Sequence, residues 1–215
     1  MKRLALVITI LLLATLKVSA QEITSSITVY PEFRPATVHL ASGQKMNIPL
    51  ANIFLKNSGL LYMSDNVIKE ADIKKLLRVE FADRTYIRVD SMLAYQVDSI
   101  GGDALFRANV IDIAAYKQAR ANSSNITNLD LNFLTDTSAS LSYNTIEATD
   151  KSELQFPISP VYFYRLDNQF VRVHERHLKR ALPKEKERIM ESVMNMPGFT
   201  WSDENFLMMI LKKIQ

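Results

Sequence analysis

Two of the three histidines in this chain lie close together in the stretch VHERHLKR, residues 173–180. His174 and His177 are three positions apart, so both imidazoles would share one face of a helix that begins there and could approach one metal ion. The zinc-protease pattern H-E-x-x-H requires a spacing of four, and no third ligand is within reach of a sequence argument. The cationic neighbours would also repel a divalent ion. His174 and His177 are therefore kept as metal candidates, whereas the prediction is a solvated basic helix.

The cationic side chains around this pair continue beyond it. In one interpretation they form a contact for an anion, a phospholipid headgroup or an acidic partner. In the other they form a solvated helix face, because Glu185 and Glu187 interrupt the run and mixed signs weaken a focused field. The sequence favours the second interpretation. The candidate contact residues are Arg172, Arg176, Lys179, Arg180 and Lys184.

No other stretch predicts a reaction. His39 lies in the alternating segment TVHL, which is typical of a strand, and no serine lies in a nucleophile elbow. The five glycines form no phosphate-binding loop. Carboxylate pairs such as Glu80 and Asp83 flank expected turns, where solvated residues are common. We therefore assign no catalytic residue, no cofactor-binding residue and no cofactor, and favour a noncatalytic protein.

The first twenty residues, MKRLALVITILLLATLKVSA, are typical of a secretory signal peptide, with Lys2 and Arg3 ahead of an apolar run and small residues at the end. The apolar run at positions 4–16 is shorter than the roughly 20 residues that a spanning helix needs. No later stretch is longer. We predict cleavage after Ala20, no transmembrane helix in the mature chain, and no lipoprotein, since the cleavage point lacks a cysteine.

The composition of the predicted mature chain bounds its function. The leader holds three of the 26 basic residues, which leaves 23 against 23 acidic residues and a net charge of zero. Nucleic-acid binding is therefore not predicted. The chain has no cysteine, which excludes disulfides and thiolate metal sites. An exported chain without disulfides favours a bacterium, with a location in the periplasm or at the outer cell surface.

Residues 21–155 are interpreted as an antiparallel β domain. Short apolar or alternating runs are interrupted by turn residues such as Asp65-Asn66 and Gly101-Gly102. One helical turn is expected within residues 70–77, and the polar segment 118–153 is interpreted as a long hairpin. The predicted strands are residues 37–40, 46–55, 60–63, 79–81, 85–89, 92–97 and 105–113.

Residues 156–215 are interpreted as a β-hairpin and helices packed on that domain. Asp167-Asn168 separates two apolar runs and tolerates the left-handed backbone of a tight turn. One helix is expected after Pro183, and a last helix is expected after Thr200 and Ser202, which are placed to cap it. The predicted fold class is α+β, mainly antiparallel β as a sandwich or partly open barrel, with a small C-terminal helical tail of two to three helices.

Two stretches of the chain carry a resemblance. IFLKNSGLLYMSDNVIKEADIKKLLRVEFADRTYIRV and PVYFYRLDNQFVRVHERHLKRALPKEKERI together resemble uncharacterised exported proteins of Gram-negative anaerobic bacteria. Those proteins pair a β-rich amino-terminal part with a hairpin and helices. The resemblance implies export and this architecture, and it carries no site residue.

Three functions follow from these observations. The first is a noncatalytic exported envelope protein, a binding or assembly module for another envelope protein. The second is a periplasmic carrier of a small apolar or lipidic ligand in a β cavity, suggested by the many short strands and nine methionines. The third is a hydrolase whose groups converge from distant segments, with His39, His174 and His177 as its first candidates.

Overall fold

The computed structural model describes residues 22–121 and 155–215. Their strands form one antiparallel sheet, and their helices lie mainly near the C-terminus. This confirms the predicted α+β, mainly antiparallel β class. The strands are β1 (Ile23–Thr24), β2 (Arg34–Leu40), β3 (Lys45–Phe54), β4 (Gly59–Ser64), β5 (Val67–Glu70), β6 (Leu76–Glu80), β7 (Thr85–Val89), β8 (Met92–Ile100), β9 (Asp103–Ile111), β10 (Phe156–Leu166) and β11 (Gln169–Arg172). The helices are α1 (Ile113–Ala121), α2 (Glu175–Ala181), α3 (Lys184–Met194) and α4 (Glu204–Ile214), and a single 3₁₀ turn spans Ile73–Lys75.

The strand order is β1-β10-β9-β8-β7-β6-β2-β3-β4-β5, and β11 also pairs with β10. Most neighbours in the sheet are consecutive in the chain, as hairpins require. The exceptions are the pairing of β1 with β10 and the pairing of β2 with β6, which joins the β2–β5 hairpins to the β6–β9 hairpins. Because β10 pairs with β9, residues from both predicted segments, 21–155 and 156–215, contribute to this sheet.

In two hairpins, an aspartate and an asparagine with left-handed backbone conformation form the turn that sets the register of the strands. Asp65 and Asn66 have φ of 54° and 59° between β4 and β5, and Asp167 and Asn168 have φ of 48° and 64° between β10 and β11. Two successive left-handed residues match the twist of the flanking strands, and Asp and Asn tolerate that conformation best among residues with a Cβ atom. The predicted turn at residues 167–168 is therefore confirmed.

Strand β10 begins earlier than the sequence predicted, and it runs through two prolines. The Ile158 N–H donates to the Glu22 carbonyl, and the Tyr162 carbonyl accepts from the Val173 N–H, so these two residues face the same edge of the strand. Alternate residues of a strand point the same way, so Pro160 also faces that edge. A proline there removes no hydrogen bond to β9, which explains why the strand continues through it.

The sheet curls into a half-barrel at the turn before β4. Ser58 is buried with a φ of 54°, and its carbonyl accepts from the Leu93 N–H at 2.8 Å while its hydroxyl donates to the Leu93 carbonyl at 2.7 Å. These bonds bring β4 against β8, which are not adjacent in the strand order. Of the two predicted arrangements, the partly open barrel is the one observed.

The half-barrel encloses its own apolar core, and a buried amide ties the preceding loop to it. Asn52 is fully buried; its Oδ1 accepts from the N–H groups of Tyr30 and Ile53, and its Nδ2 donates to the Tyr30 and Glu32 carbonyls. Both polar atoms of the Asn52 side chain are therefore hydrogen-bonded, as buried polar groups need to be. The core side chains are Ala36, Val38, Ala51, Ile53, Leu60, Leu76, Val79, Phe81, Tyr86 and Leu93.

Helices α2, α3 and α4 cover one face of the sheet with a second core. Helix α4 presents Leu207, Ile210 and Leu211 to this core, which also contains Leu105 of β9. The fully buried Tyr164 donates its hydroxyl to the Leu207 carbonyl at 2.6 Å. The apolar side chains buried in this core stabilise the three short helices. Isolated helices as short as these are not stable in water, so the helices depend on this packing.

Two local predictions in the helical regions were wrong. The last helix is capped by Asp203, whose side chain accepts from the Asn205 N–H, and not by Thr200 or Ser202. Residues 118–121 belong to α1, where a polar hairpin was expected over 118–153. The rest of that predicted hairpin lies outside the described residues. The helical turn predicted within residues 70–77 is present as the 3₁₀ turn.

No helix within residues 22–121 and 155–215 has both the length and the hydropathy that crossing a membrane would require.

Candidate functional site

The two neighbouring histidines lie where β11 leads into α2. His174 is the N-cap of α2, and its Nδ1 accepts from the Arg176 N–H at 3.4 Å. The His174 and His177 rings meet edge to face with centroids 6.2 Å apart. Within residues 22–121 and 155–215, no group of three or more His, Cys, Asp or Glu residues is arranged to hold a metal ion. The capping bond shows a structural role for His174 that the sequence did not suggest.

His174 also belongs to an aromatic cluster on the surface. Its ring stacks on Trp201 with centroids 6.1 Å apart and an interplanar angle of 19°. Phe199 meets Trp201 edge to face at 5.0 Å. Trp201 and Phe199 are half-buried, whereas His174 and His177 are exposed. The segment before α4 therefore places aromatic rings beside the start of α2.

Two of the five predicted cationic contact residues, Lys179 and Lys184, form ion pairs with carboxylates of the same chain. The Lys179 Nζ lies 2.9 Å from Glu175 and 2.8 Å from Glu191, which bridges α2 to α3. Hydrogen bonds to Glu191 and then to Glu175 raise the pKa of Lys179 above its ordinary range. Lys184 pairs with Glu187 at 2.8 Å on α3. Both cations are therefore already neutralised by neighbouring carboxylates.

The other three cationic residues are available. Arg172, Arg176 and Arg180 are exposed, and no carboxylate of the described residues lies within ion-pair distance of them. Arg176 and Arg180 are four positions apart on α2 and share one helix face. We name the combined patch the α2 surface; it consists of Arg172, His174, Arg176, His177, Arg180 and Trp201.

His39 lies in β2, on a different element from His174 and His177. Its Nε2 is 3.1 Å from Glu80 on the neighbouring strand, and Arg78 approaches the same carboxylate at 2.8 Å. The hydrogen bond from His39 is the main cause of a lowered Glu80 pKa. The three histidine candidates for hydrolysis are thus not brought together by a shared element, and each makes a structural contact.

A second candidate site lies in a row of paired residues across the middle of the sheet. Tyr86 of β7 pairs with Tyr95 of β8, Tyr95 pairs with Arg107 of β9, and Arg107 pairs with Tyr162 of β10. Directly paired residues point to the same face, so these side chains form one polar and aromatic row. Burial raises the pKa of Tyr86, Tyr95 and Tyr162, which keeps their phenols protonated at neutral pH.

Arg107 is the centre of this row, and its guanidinium is mostly buried. It pairs with Glu22 beside β1 and, at 3.1 Å, with Glu204 at the start of α4. Its Nε donates to Asn109 Oδ1 at 2.7 Å. The Tyr162 hydroxyl donates to Glu204 at 3.0 Å. Three distant parts of the chain are therefore joined at one guanidinium.

A cavity of about 270 Å³ opens beside Arg107. Arg84 lies at its rim, with the guanidinium carbon 4.1 Å above the centre of the Tyr95 ring. Glu22, Thr24 and Asn109 also line it. Because β1, β8 and β9 each contribute a wall, the cavity exists only in the assembled sheet. We name it the arginine pocket.

The sequence did not predict the arginine pocket. Arg84 lies just before β7 and Arg107 lies in β9, so β8 separates them. Tyr95 of β8 is paired with Arg107 in the sheet, and its ring is contacted by the Arg84 guanidinium. One signal was present: after Asp103 at its start, the strand DALFRANVI is apolar except for Arg107 and Asn109. A charged residue in the middle of a buried strand is rare unless it is paired.

Comparison of the chain with family models, with curated proteins and with solved structures gave no significant match.

Proposed function

We propose that this protein is a noncatalytic exported envelope protein that acts as a binding module and docks an acidic segment of another envelope protein on the α2 surface. The observation that carries the proposal is the set of three exposed arginines without a carboxylate partner among the described residues, beside the stacked His174 and Trp201. The docking part of the proposal rests on the geometry of the α2 surface, and the export part rests on the composition of residues 1–20.

The chemistry of the α2 surface suits a protein partner. Arginine and tryptophan are the residue types that contribute most often to binding energy at protein interfaces. Their planar groups bury area with little loss of conformational freedom, and a guanidinium can bind a carboxylate through two parallel hydrogen bonds. Unneutralised positive charge also steers an acidic partner toward the surface.

The location follows from residues 1–20. On this proposal the leader directs export, cleavage after Ala20 releases it, and the mature chain works in the periplasm or at the outer cell surface. The neutral balance of 23 basic and 23 acidic residues in that mature chain means that the α2 surface is a local feature and not a result of overall charge.

The carrier hypothesis has less support than docking. The interior of the half-barrel is filled by its own side chains, with Val38, Ile53 and Leu60 no more than 1% exposed. The groove of about 560 Å³ lined by Pro35, Pro49 and neighbouring residues lies open on the surface. A carrier needs an enclosed apolar site, so the docking function is the one that we propose.

The docking proposal is tested with a photo-crosslinking amino acid at position 177 of the tagged mature chain, expressed in its native envelope. We expect one acidic envelope protein to be crosslinked from position 177 and not from position 212 on α4. The double variant Arg176→Glu and Arg180→Glu should abolish the crosslink. Lys212→Glu with Lys213→Glu, which reverses two exposed charges elsewhere, is the matched control and should not change it.

Salt dependence separates docking from adhesion through apolar contacts. The crosslinked yield should fall when the ionic strength rises from 0.05 M to 0.5 M, because exposed charge pairs are screened. Capture that survives the double charge reversal, or that does not respond to salt, would reject docking through these arginines.

A further inference from the structure

The arginine pocket is separate from the α2 surface and has a chemistry of its own. Its cationic rim residue, Arg84, stacks on Tyr95 and has no carboxylate within ion-pair distance among the described residues. Arg107 inside the pocket is already paired with Glu22 and Glu204. Arg84 is therefore the lining cation that has no direct carboxylate partner among the described residues.

Two further hydrogen-bond donors line the pocket without an acceptor among the described residues. The Asn109 amide oxygen accepts from Arg107 Nε, which fixes the orientation of the amide and leaves its NH₂ group directed away from that bond. The Thr24 hydroxyl oxygen accepts from the Ser26 N–H, so its own O–H is free to donate. A guanidinium, an amide NH₂ and a hydroxyl thus line one cavity.

We infer that the arginine pocket binds a small monoanionic carboxylate, held by Arg84 with Asn109 and Thr24 as further donors. A carboxylate is an acceptor only, with about four lone-pair directions, and it therefore matches a set of donors. A guanidinium has five N–H donors, so Arg84, which stacks on Tyr95 and also interacts with the Tyr86 phenol, keeps donors for contact with a carboxylate.

Size and charge restrict the ligand further. The cavity of about 270 Å³ holds roughly nine water volumes, which suits a ligand of amino-acid size or the end of a peptide chain. Arg84 is one guanidinium without a carboxylate partner among the described residues, and it offers one contact for one negative charge. The Glu22 carboxylate in the same lining disfavours a doubly charged phosphate by like-charge repulsion.

The test uses the ¹⁵N-labelled mature chain, residues 21–215, titrated with N-acetylglycine while the Arg84 Nε–H and Asn109 amide NMR signals are followed. We expect saturable shifts of both signals. Arg84→Gln and Asn109→Asp should each weaken binding at least tenfold; the second keeps the acceptor for Arg107 and removes the amide donor. Arg188→Gln removes an exposed arginine outside both proposed sites and should leave the affinity unchanged.

Two other probes decide the ligand class. The methyl ester of N-acetylglycine has the same shape without the charge, and it should not bind. Inorganic phosphate should bind more weakly than N-acetylglycine. The inference is overturned if wild-type protein shows no saturable shift at Arg84, if Arg84→Gln binds equally well, or if phosphate binds more tightly. Any of these results leaves docking on the α2 surface intact, because the two sites share no residue.

Discussion

Arg107 is the residue on which the junction between the two ends of the described chain depends. Replacing it with methionine, Arg107→Met, leaves Glu22 and Glu204 without their shared cation. We expect a loss of about 2 kcal/mol in the free energy of unfolding, less than for a fully buried pair because both glutamates are partly exposed. Urea denaturation of the mature chain measures it. Arg172→Met, at an exposed arginine, should change stability by less than about 0.5 kcal/mol, and an equal effect of both changes would contradict the central role of Arg107.

Asn52 is a second residue whose replacement should strongly lower the free energy of unfolding. Asn52→Ala removes four hydrogen bonds and leaves buried backbone groups of Tyr30 and Ile53 unsatisfied. We expect a cost of about 3 kcal/mol together with faster amide hydrogen exchange at Tyr30. Asn47→Ala, at an exposed position of the same strand, should have little effect. Unchanged exchange at Tyr30 would mean that the loop is held by other contacts.

His39 and Glu80 give a pH dependence with a defined sign. The hydrogen bond from His39 lowers the pKa of Glu80 in the folded protein below its ordinary value of 4.5. A depressed carboxyl pKa stabilises the fold above the unfolded-state pKa, and this contribution is lost as the pH falls through the folded-state pKa. A ¹³C NMR titration of Glu80 should therefore show a low pKa that rises toward 4.5 in His39→Val. The same pKa in both proteins would rule out the His39 contribution.

At the residue scale, the sequence predicted where the histidines and arginines lie along the chain but not what they contact. The exposed arginines 172, 176 and 180 lie on the basic surface that the sequence suggested. Lys179 and Lys184 have carboxylate partners, and Lys179 reaches Glu191 on another helix. The arginine pocket depends on pairing across three strands, and no local pattern encodes which residues of different strands become neighbours.

At the element scale, the cap of α4 offers a sharp test because the sequence and the structure name different residues. Asp203→Ala removes the side chain that accepts from the Asn205 N–H, and we expect a loss of about 1 kcal/mol. Ser202→Ala removes one of the two side chains that the sequence predicted as caps, and it should cost less than half as much. Thermal unfolding of both variants measures the difference, and a larger loss for Ser202→Ala would contradict the observed cap.

Elements with strong local signals were predicted well, and those without them were not. The turn at residues 167–168 and strand β7 follow directly from turn residues and alternation. Helix α1 was missed because IAAYKQARA has little segregation of apolar and polar residues. The early start of β10 was missed because a strand accommodates a proline only where its nitrogen faces no hydrogen-bond acceptor on a neighbouring strand. The tertiary structure decides which side of the strand that is.

At the scale of the whole molecule, the proposed export predicts a change in charge. Loss of residues 1–20 removes three basic residues and no acidic one, so the isoelectric point should drop from about 9.0 to near neutral. Isoelectric focusing and intact mass of protein isolated from the envelope measure this, with Gln21 as the expected first residue. Ala20→Trp should block cleavage and retain the basic precursor. An envelope protein that still begins at Met1 would contradict the proposed leader.

The shared guanidinium of Arg107 has a consequence for the order of folding. Its partners Glu22 and Glu204 are 85 and 97 positions away along the chain. Contacts between such distant residues form only after large loops have closed, and chains dominated by them fold slowly. The junction also requires α4, which is synthesised well after β9 and β10. A newly made chain therefore contains Arg107 and Glu22 well before Glu204 exists to complete the junction.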